Sequence, residues 1–102
     1  MNKSEIAELI NRRRRQILIH SFLYYRMNTS IVSDAQYDEW ARELAELQEK
    51  YPEIARECVY AKYFEDFSES VTGFNLPLHL PEVVSTGLQL LHLHEKRKSG
   101  KV

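Results

Sequence analysis

Residues 22–43, FLYYRMNTSIVSDAQYDEWARE, decide the fold. Asn28, Thr29 and Ser30 break a long helical pattern. Ile31 and Val32 then pack down, and Ser33, Asp34, Ala35 and Gln36 read as a capping box that starts a second helix. Ser33 is the N-cap, with Gln36 reaching back to it. Asp34 in the first turn suits the positive helix end. A loop this short folds the second helix back against the first, so the centre of the fold is a helical hairpin.

Outward from that hairpin the pattern stays helical. Residues 3–27 form the first arm, with Asn2 and Glu5 as its capping box. Ile6, Ile10, Ile17, His20, Tyr24 and Met27 define its inner face, which Arg13 interrupts. The second arm, 34–50, turns Tyr37, Trp40, Ala41, Leu44 and Leu47 inward. Tyr51-Pro52 ends it, because the residue before proline avoids the helical region. Pro52 opens a third helix over 52–64, with Ile54, Cys58, Ala61, Tyr60 and Phe64 directed inward. Residues 66–80 are irregular, and Val71, Phe74, Leu76 and Leu78 imply a loop packed on the core. Pro81 starts a fourth helix over 81–98, with Val84, Leu88 and Leu91 on one face. Gly87 inside it is a weak spot or a point of close packing. The expected fold is all-α: one domain over 1–102, about four helices, a hairpin of the first two, and a packed loop before the last.

Composition narrows the function classes. Fourteen basic residues against fifteen acidic ones give no net-charge signal for a partner. No apolar run reaches membrane-spanning length and no apolar leader precedes Arg12, so a cytoplasmic protein without membrane contact is expected. Cys58 is the single cysteine, which excludes an internal disulfide and fits a reducing compartment. Arg12, Arg13, Arg14 and Arg15 spread around a helix, so a solvated surface is the first reading and a phosphate or nucleic-acid patch the second. His79, His92 and His94 lack zinc-ligand spacing, so no metal site is expected. His20 reads as a core histidine with its hydrogen bonds satisfied.

The chemistry sits at the hairpin. Tyr24 and Tyr25 end the first helix, while Asp34, Tyr37 and Asp38 share adjoining surface in the first turn of the second. Tyr24 and Tyr37 are placed to face one another across the junction. Two phenol faces suit a flat ring, and the carboxylates favour a cation or hydroxyl donors. A pyridinium on a ribose meets both demands, at roughly 0.5–2 kcal/mol per cation–π contact. Its phosphate would go to the amides of the second helix, to Tyr25 or to Arg26. The bland alternative is that the aromatics are core and the aspartates are helix caps.

With those residues in view, 16–53 resembles the N-terminal Ia subdomain of bacterial NAD-dependent DNA ligases. The likeness rests on Leu23-Tyr24-Tyr25, the short loop, Ser33-Asp34-Ala35 followed by Tyr37-Asp38, and then Arg42-Glu43-Leu44 through Tyr51-Pro52-Glu53. The resemblance implies a helical module for the nicotinamide mononucleotide half of NAD, with Tyr24, Tyr25, Asp34, Tyr37 and Asp38 as ligand contacts. Tyr25 departs from a histidine found in some ligases. None of the lysines lies in the ligase's nucleophile motif, and 102 residues leave no room for its catalytic domain, so a non-enzymatic module with no required cofactor is expected. Residues 54–102 diverge; SVTGFNLPLHLPE and the last helix resemble small ligase-related proteins of prophages and mobile elements. The rival readings are a protein-interaction module with a host protein as partner, in host takeover or defence evasion, and nucleic-acid binding through Arg12, Arg13, Arg14 and Arg15.

Overall fold

The computed structural model describes residues 1–65, 67 and 76–99, and the side chains of α4 as far as 97. Four α-helices follow one another: α1 (Lys3–Arg26), α2 (Asp34–Lys50), α3 (Pro52–Glu57) and α4 (Pro81–Ser99), with a 3-10 turn at Ala61–Phe64. No strand occurs among the described residues. The all-α expectation therefore holds.

The helix starts are local chemistry. Asn2 Oδ1 accepts from the Glu5 amide at 2.9 Å and Glu5 Oε1 from the Asn2 amide at 3.2 Å, a complete capping box. Ser33 Oγ accepts from the Gln36 amide at 3.1 Å. No reciprocal Gln36 bond accompanies it, so this end has a single cap rather than the expected box. At the end of α1, Asn28 enters the left-handed region at φ 52°. The Thr29 amide then bonds the Leu23 carbonyl at 3.0 Å, turning the chain toward α2.

Helix α1 is the central element. α2 returns antiparallel along one side, as Arg13–Glu43, Arg14–Gln48 and Ser21–Tyr37 contacts record. α4 runs parallel along another: Glu82, Val83 and Thr86 adjoin Arg15, Leu18 and Ile19, and Gly87 meets Phe22. Ile10, Ile17, Leu18, Leu23, Leu44, Phe64 and Leu78 are fully buried between them. Leu76 and Leu78 join this core, as the packed-loop reading requires; Val71 and Phe74 lie outside the described residues.

Several inner-face assignments need correction. Tyr24 and Met27 are exposed, and Leu18, Ser21, Phe22 and Leu23 are buried instead, because α2 and α4 flank α1 on separate sides and widen its covered arc. On α4 the inner residues are Val83 and Gly87, with Val84 and Leu91 half-buried, while Leu88 is 42% exposed. Gly87 is the close-packing point: a Cβ there would stand 2.6 Å from Phe22 Cδ2.

The third helix is shorter than expected and stops at Glu57. Cys58 is extended and Tyr60 takes the left-handed conformation, with φ 60°. The cause is two polar groups of α1. Asn11 Oδ1 accepts from the Val59 amide at 3.0 Å, and Arg14 Nη1 donates to the Val59 carbonyl at 2.8 Å. A continuing helix would need both backbone groups for itself.

Arg14 also corrects the reading of the arginine run. It is 2% exposed, the most buried charged residue among the described residues. Its Nε and Nη2 both donate to Gln48 Oε1, at 3.0 and 2.8 Å, and its guanidinium lies over the Phe64 ring. Gln48 Nε2 donates onward to the Phe64 carbonyl at 3.1 Å. This network ties α1, α2 and the turn at 58–64 together.

Candidate functional site

A pocket opens where α1 ends and α2 begins. Tyr24, Tyr25, Asp34 and Tyr37 line it, with His20, Ser21, Ser30, Val32 and Ser33. Four of the five residues expected at a ligand site therefore converge on one concavity. Asp38 is exposed just past the first turn of α2 and is outside the lining. Arg26, the expected phosphate contact, is exposed at the end of α1 and is also outside it. Of the loop at 68–80, residues 76–80 do not line the pocket; 68–75 lie outside the described residues.

Local structure accounts for each position. The left-handed Asn28 reverses the chain within a few residues, so Tyr24 and the start of α2 share one rim. Ser30 Oγ donates to the Val32 carbonyl at 2.6 Å, which fixes the loop wall. Ser33 caps α2, leaving Asp34 at the positive end of the helix.

The two expected stacking tyrosines stand differently from a simple facing pair. Tyr24 is 56% exposed and meets Tyr25 edge-on, with ring centroids 4.9 Å apart. Tyr37 is half-buried, and its hydroxyl shares a hydrogen bond of 2.7 Å with the buried Ser21 Oγ. Burial raises the Tyr37 phenol's pKa; Ser21 opposes that shift, and Tyr25 and Asp38 reinforce it. Tyr37 is thus a neutral, anchored wall, and Tyr24 an exposed one.

The expectation of a satisfied core histidine at His20 needs correction. Its ring packs on Trp40 with centroids 5.2 Å apart, but its buried Nδ1 has no hydrogen-bond partner. Burial lowers its pKa, so the ring is neutral near pH 7. Sequence spacing held the signal: His20 lies four residues before Tyr24, one helical turn behind it on the same side.

The cavity measures about 90 Å³. An enclosed cavity of roughly 150 Å³ holds a benzene ring, so a ring ligand enters this concavity only in part. A larger ligand must extend past the rim.

The arginine run does not make one basic face. Arg12 pairs with Glu8 at 2.6 Å, Arg13 with Glu43 at 3.1 Å, and Arg14 is buried. Arg15 faces a separate cavity beside Tyr60 and Glu82. Among the described residues, no three His, Cys, Asp or Glu gather to hold a metal ion. None of the described helices is long and apolar enough to cross a membrane. Cys58 is buried, its thiol donating to the Ile54 carbonyl at 3.2 Å, and burial raises its pKa.

Residues 3–57 match the family model described as "DNA ligase-like, N-terminal NAD+-binding domain". The chain belongs to this family. The match covers more than half of the 102 residues, reaching beyond the 16–53 recognised from motifs to take in all of α1. It takes in every residue of the pocket and ends with α3. Among relatives, the DNA ligase of Thermosipho africanus is 38% identical over 54 residues, 53% of this chain and 8% of that protein. The DNA ligase of Anoxybacillus flavithermus is 45% identical over 51 residues, 50% of this chain and 7% of that protein. That of Chloroherpeton thalassium is 43% identical over 54 residues, again 53% and 8%. The likeness thus spans less than a tenth of the length of these ligases. No solved structure matches the chain.

Proposed function

We propose that this ligase-Ia-like domain binds the nicotinamide mononucleotide part of NAD, or the free mononucleotide, at the α1–α2 junction. The observation that carries the reading is the convergence of Tyr24, Tyr25, Asp34 and Tyr37 on one pocket inside the family match. The pyridinium enters between the exposed Tyr24 ring and the anchored Tyr37 ring, attracted by their π faces. Asp34 at the rim accepts from ribose hydroxyls. The ribose and phosphate extend past the rim, where Asp38 can accept from a ribose hydroxyl. Arg26 and the amides at the helix start supply the phosphate's partners.

The domain acts by binding and not by catalysis. None of its lysines stands in the ligase nucleophile motif. Nicotinamide nucleotide is the ligand, not a required cofactor. Docking of a protein on exposed Tyr24 and Met27 is the second reading, since such side chains serve as anchors. Pairing of Arg12 and Arg13 and burial of Arg14 weigh against nucleic acid.

The test is calorimetric titration of the whole chain with nicotinamide mononucleotide and with NAD, repeated with Tyr24→Ala and Asp34→Ala. Micromolar binding that both substitutions weaken, with the circular dichroism unchanged, is the expected result. Absence of heat with both ligands refutes the reading and favours a protein partner.

A further inference from the structure

We infer that the cavity between the end of α2, α3 and the 3-10 turn is an anion site, and that it takes a small monocarboxylate with an apolar body. It shares no lining residue with the pocket at the α1–α2 junction, so the inference stands apart from the nicotinamide reading.

The first observation is a buried charge without a counter-ion. Arg14 is 2% exposed, and a guanidinium stays protonated at neutral pH. Its hydrogen bonds all go to neutral groups: Gln48 Oε1 accepts from Nε and Nη2, and the Val59 carbonyl accepts from Nη1. The ion pairs among the described residues join Arg12 to Glu8 and Arg13 to Glu43, and neither reaches it. Burial lowers its pKa, and only Cys58 opposes that shift. A cation held out of water with no anion beside it is costly, and neutral dipoles offset that cost only in part.

The second observation is that this charge adjoins open space. The cavity measures about 310 Å³, and Arg14 is the one residue of α1 in its described lining. Gln48 and Phe64, which hold the guanidinium, line it as well. The end of the Arg14 side chain, rather than its stem, therefore belongs to the cavity floor. The third observation is spare donors. A guanidinium carries five N–H bonds and a carboxamide two. Arg14 uses three of its five, and Gln48 uses one of its two on the Phe64 carbonyl at 3.1 Å. Gln48 is only half-buried. At the mouth, Arg56 is exposed and has no carboxylate within ion-pair distance among the described residues.

The charge balance selects the ligand. Glu65 also lines the cavity, so two guanidinium groups face one carboxylate and the site lacks one negative charge. A monocarboxylate supplies it, whereas a phosphate dianion overshoots and is repelled by Glu65. Its two oxygens suit charge-assisted bonds from Arg56 and from the spare amide of Gln48, over the buried charge of Arg14. Ala55 and Ala61 offer apolar surface to the rest of the ligand. An enclosed cavity of roughly 150 Å³ holds benzene, so an acid of benzoate size has room here. Ala61, Phe64 and Glu65 lie beyond the 3–57 of the family match, so this site draws on residues outside the ligase-like part.

The test is a heteronuclear NMR titration of the whole chain with sodium benzoate at constant ionic strength, with benzamide as the uncharged control and inorganic phosphate as the second anion. The expected result is saturable shifts of the Ala55, Ala61 and Glu65 amides and of the Arg14 Nε–H with benzoate, and none with benzamide. Arg14→Met would also break the ties to Gln48 and Val59, so the exposed rim carries the mutational test. Arg56→Gln should weaken benzoate by about 2- to 5-fold and Glu65→Gln should strengthen it by about as much, with circular dichroism unchanged in both. Absent or non-saturating shifts with benzoate, equal shifts with benzamide, or an affinity that neither substitution moves overturns the site. Tighter binding of inorganic phosphate than of benzoate overturns the choice of a monocarboxylate.

Discussion

Replacing Gly87 by alanine sets two effects of opposite sign against each other. In an exposed helix interior the change stabilises by about 1 kcal/mol, since glycine has the greater backbone freedom to lose. Gly87 is not exposed. An added Cβ would lie 2.6 Å from Phe22 Cδ2 and 2.9 Å from Cε2, nearly 1 Å inside normal carbon contact at the first atom. Phe22 is itself buried against the core and has no open space to swing into. Overpacking of this kind costs about 2–3 kcal/mol. The net expectation is a loss of about 1–2 kcal/mol, read as a lower urea midpoint at unchanged slope. Phe22→Leu should relieve the clash, so the double variant should be more stable than the sum of the two single losses. If Gly87→Ala alone stabilises the chain by about 1 kcal/mol, the helix-propensity term has won and the close approach of α4 to α1 is wrong. The same variant reports on the site, because Phe22 adjoins Ser21 on α1 and Ser21 anchors Tyr37.

Other outcomes follow from the same geometry. His20 has its pKa lowered by burial, so its unfolded form takes up a proton first as pH falls. Stability from this group is therefore complete above the unfolded value of about 6.5 and declines as pH drops through that value toward the folded one. Urea midpoints of wild type should fall between pH 7.5 and pH 5 more steeply than those of His20→Phe; equal slopes contradict the depressed pKa. Tyr37→Phe removes the 2.7 Å bond to the buried Ser21 hydroxyl and should cost about 1 kcal/mol, since Ser21 can turn to a carbonyl of its own helix in compensation. Tyr24→Ala should change stability by less than about 0.5 kcal/mol because the ring is exposed, yet weaken nicotinamide mononucleotide by about 2- to 30-fold. Arg14→Lys should lose about 2–3 kcal/mol, because one ammonium cannot span Gln48 Oε1 and the Val59 carbonyl as the fork does. A midpoint within error of wild type would show that the buried network is not what holds the 58–64 turn.

The extent of α1, α2 and α4 was readable in the sequence because their limits are local. Asn2 with Glu5, Ser33 with Gln36, and proline at positions 52 and 81 act within one turn of themselves. So was the gathering of Tyr24, Tyr25, Asp34 and Tyr37, since a short loop with a left-handed Asn28 leaves little choice of return path. Tertiary structure alone decided the rest. The third helix ends early because Asn11 and Arg14, more than forty residues away, capture the backbone of Val59. Arg14 is buried while its neighbours are not, because burial depends on which partners surround a side chain, and a run of four arginines carries no record of that. His20 is a pocket wall with an unpaired Nδ1 for the same reason: packing against Trp40, which spacing along α1 does not record, decides which groups meet its ring. Local hydrogen bonds set where helices begin; the balance of buried polar groups, settled only on packing, sets what the surface between them can bind.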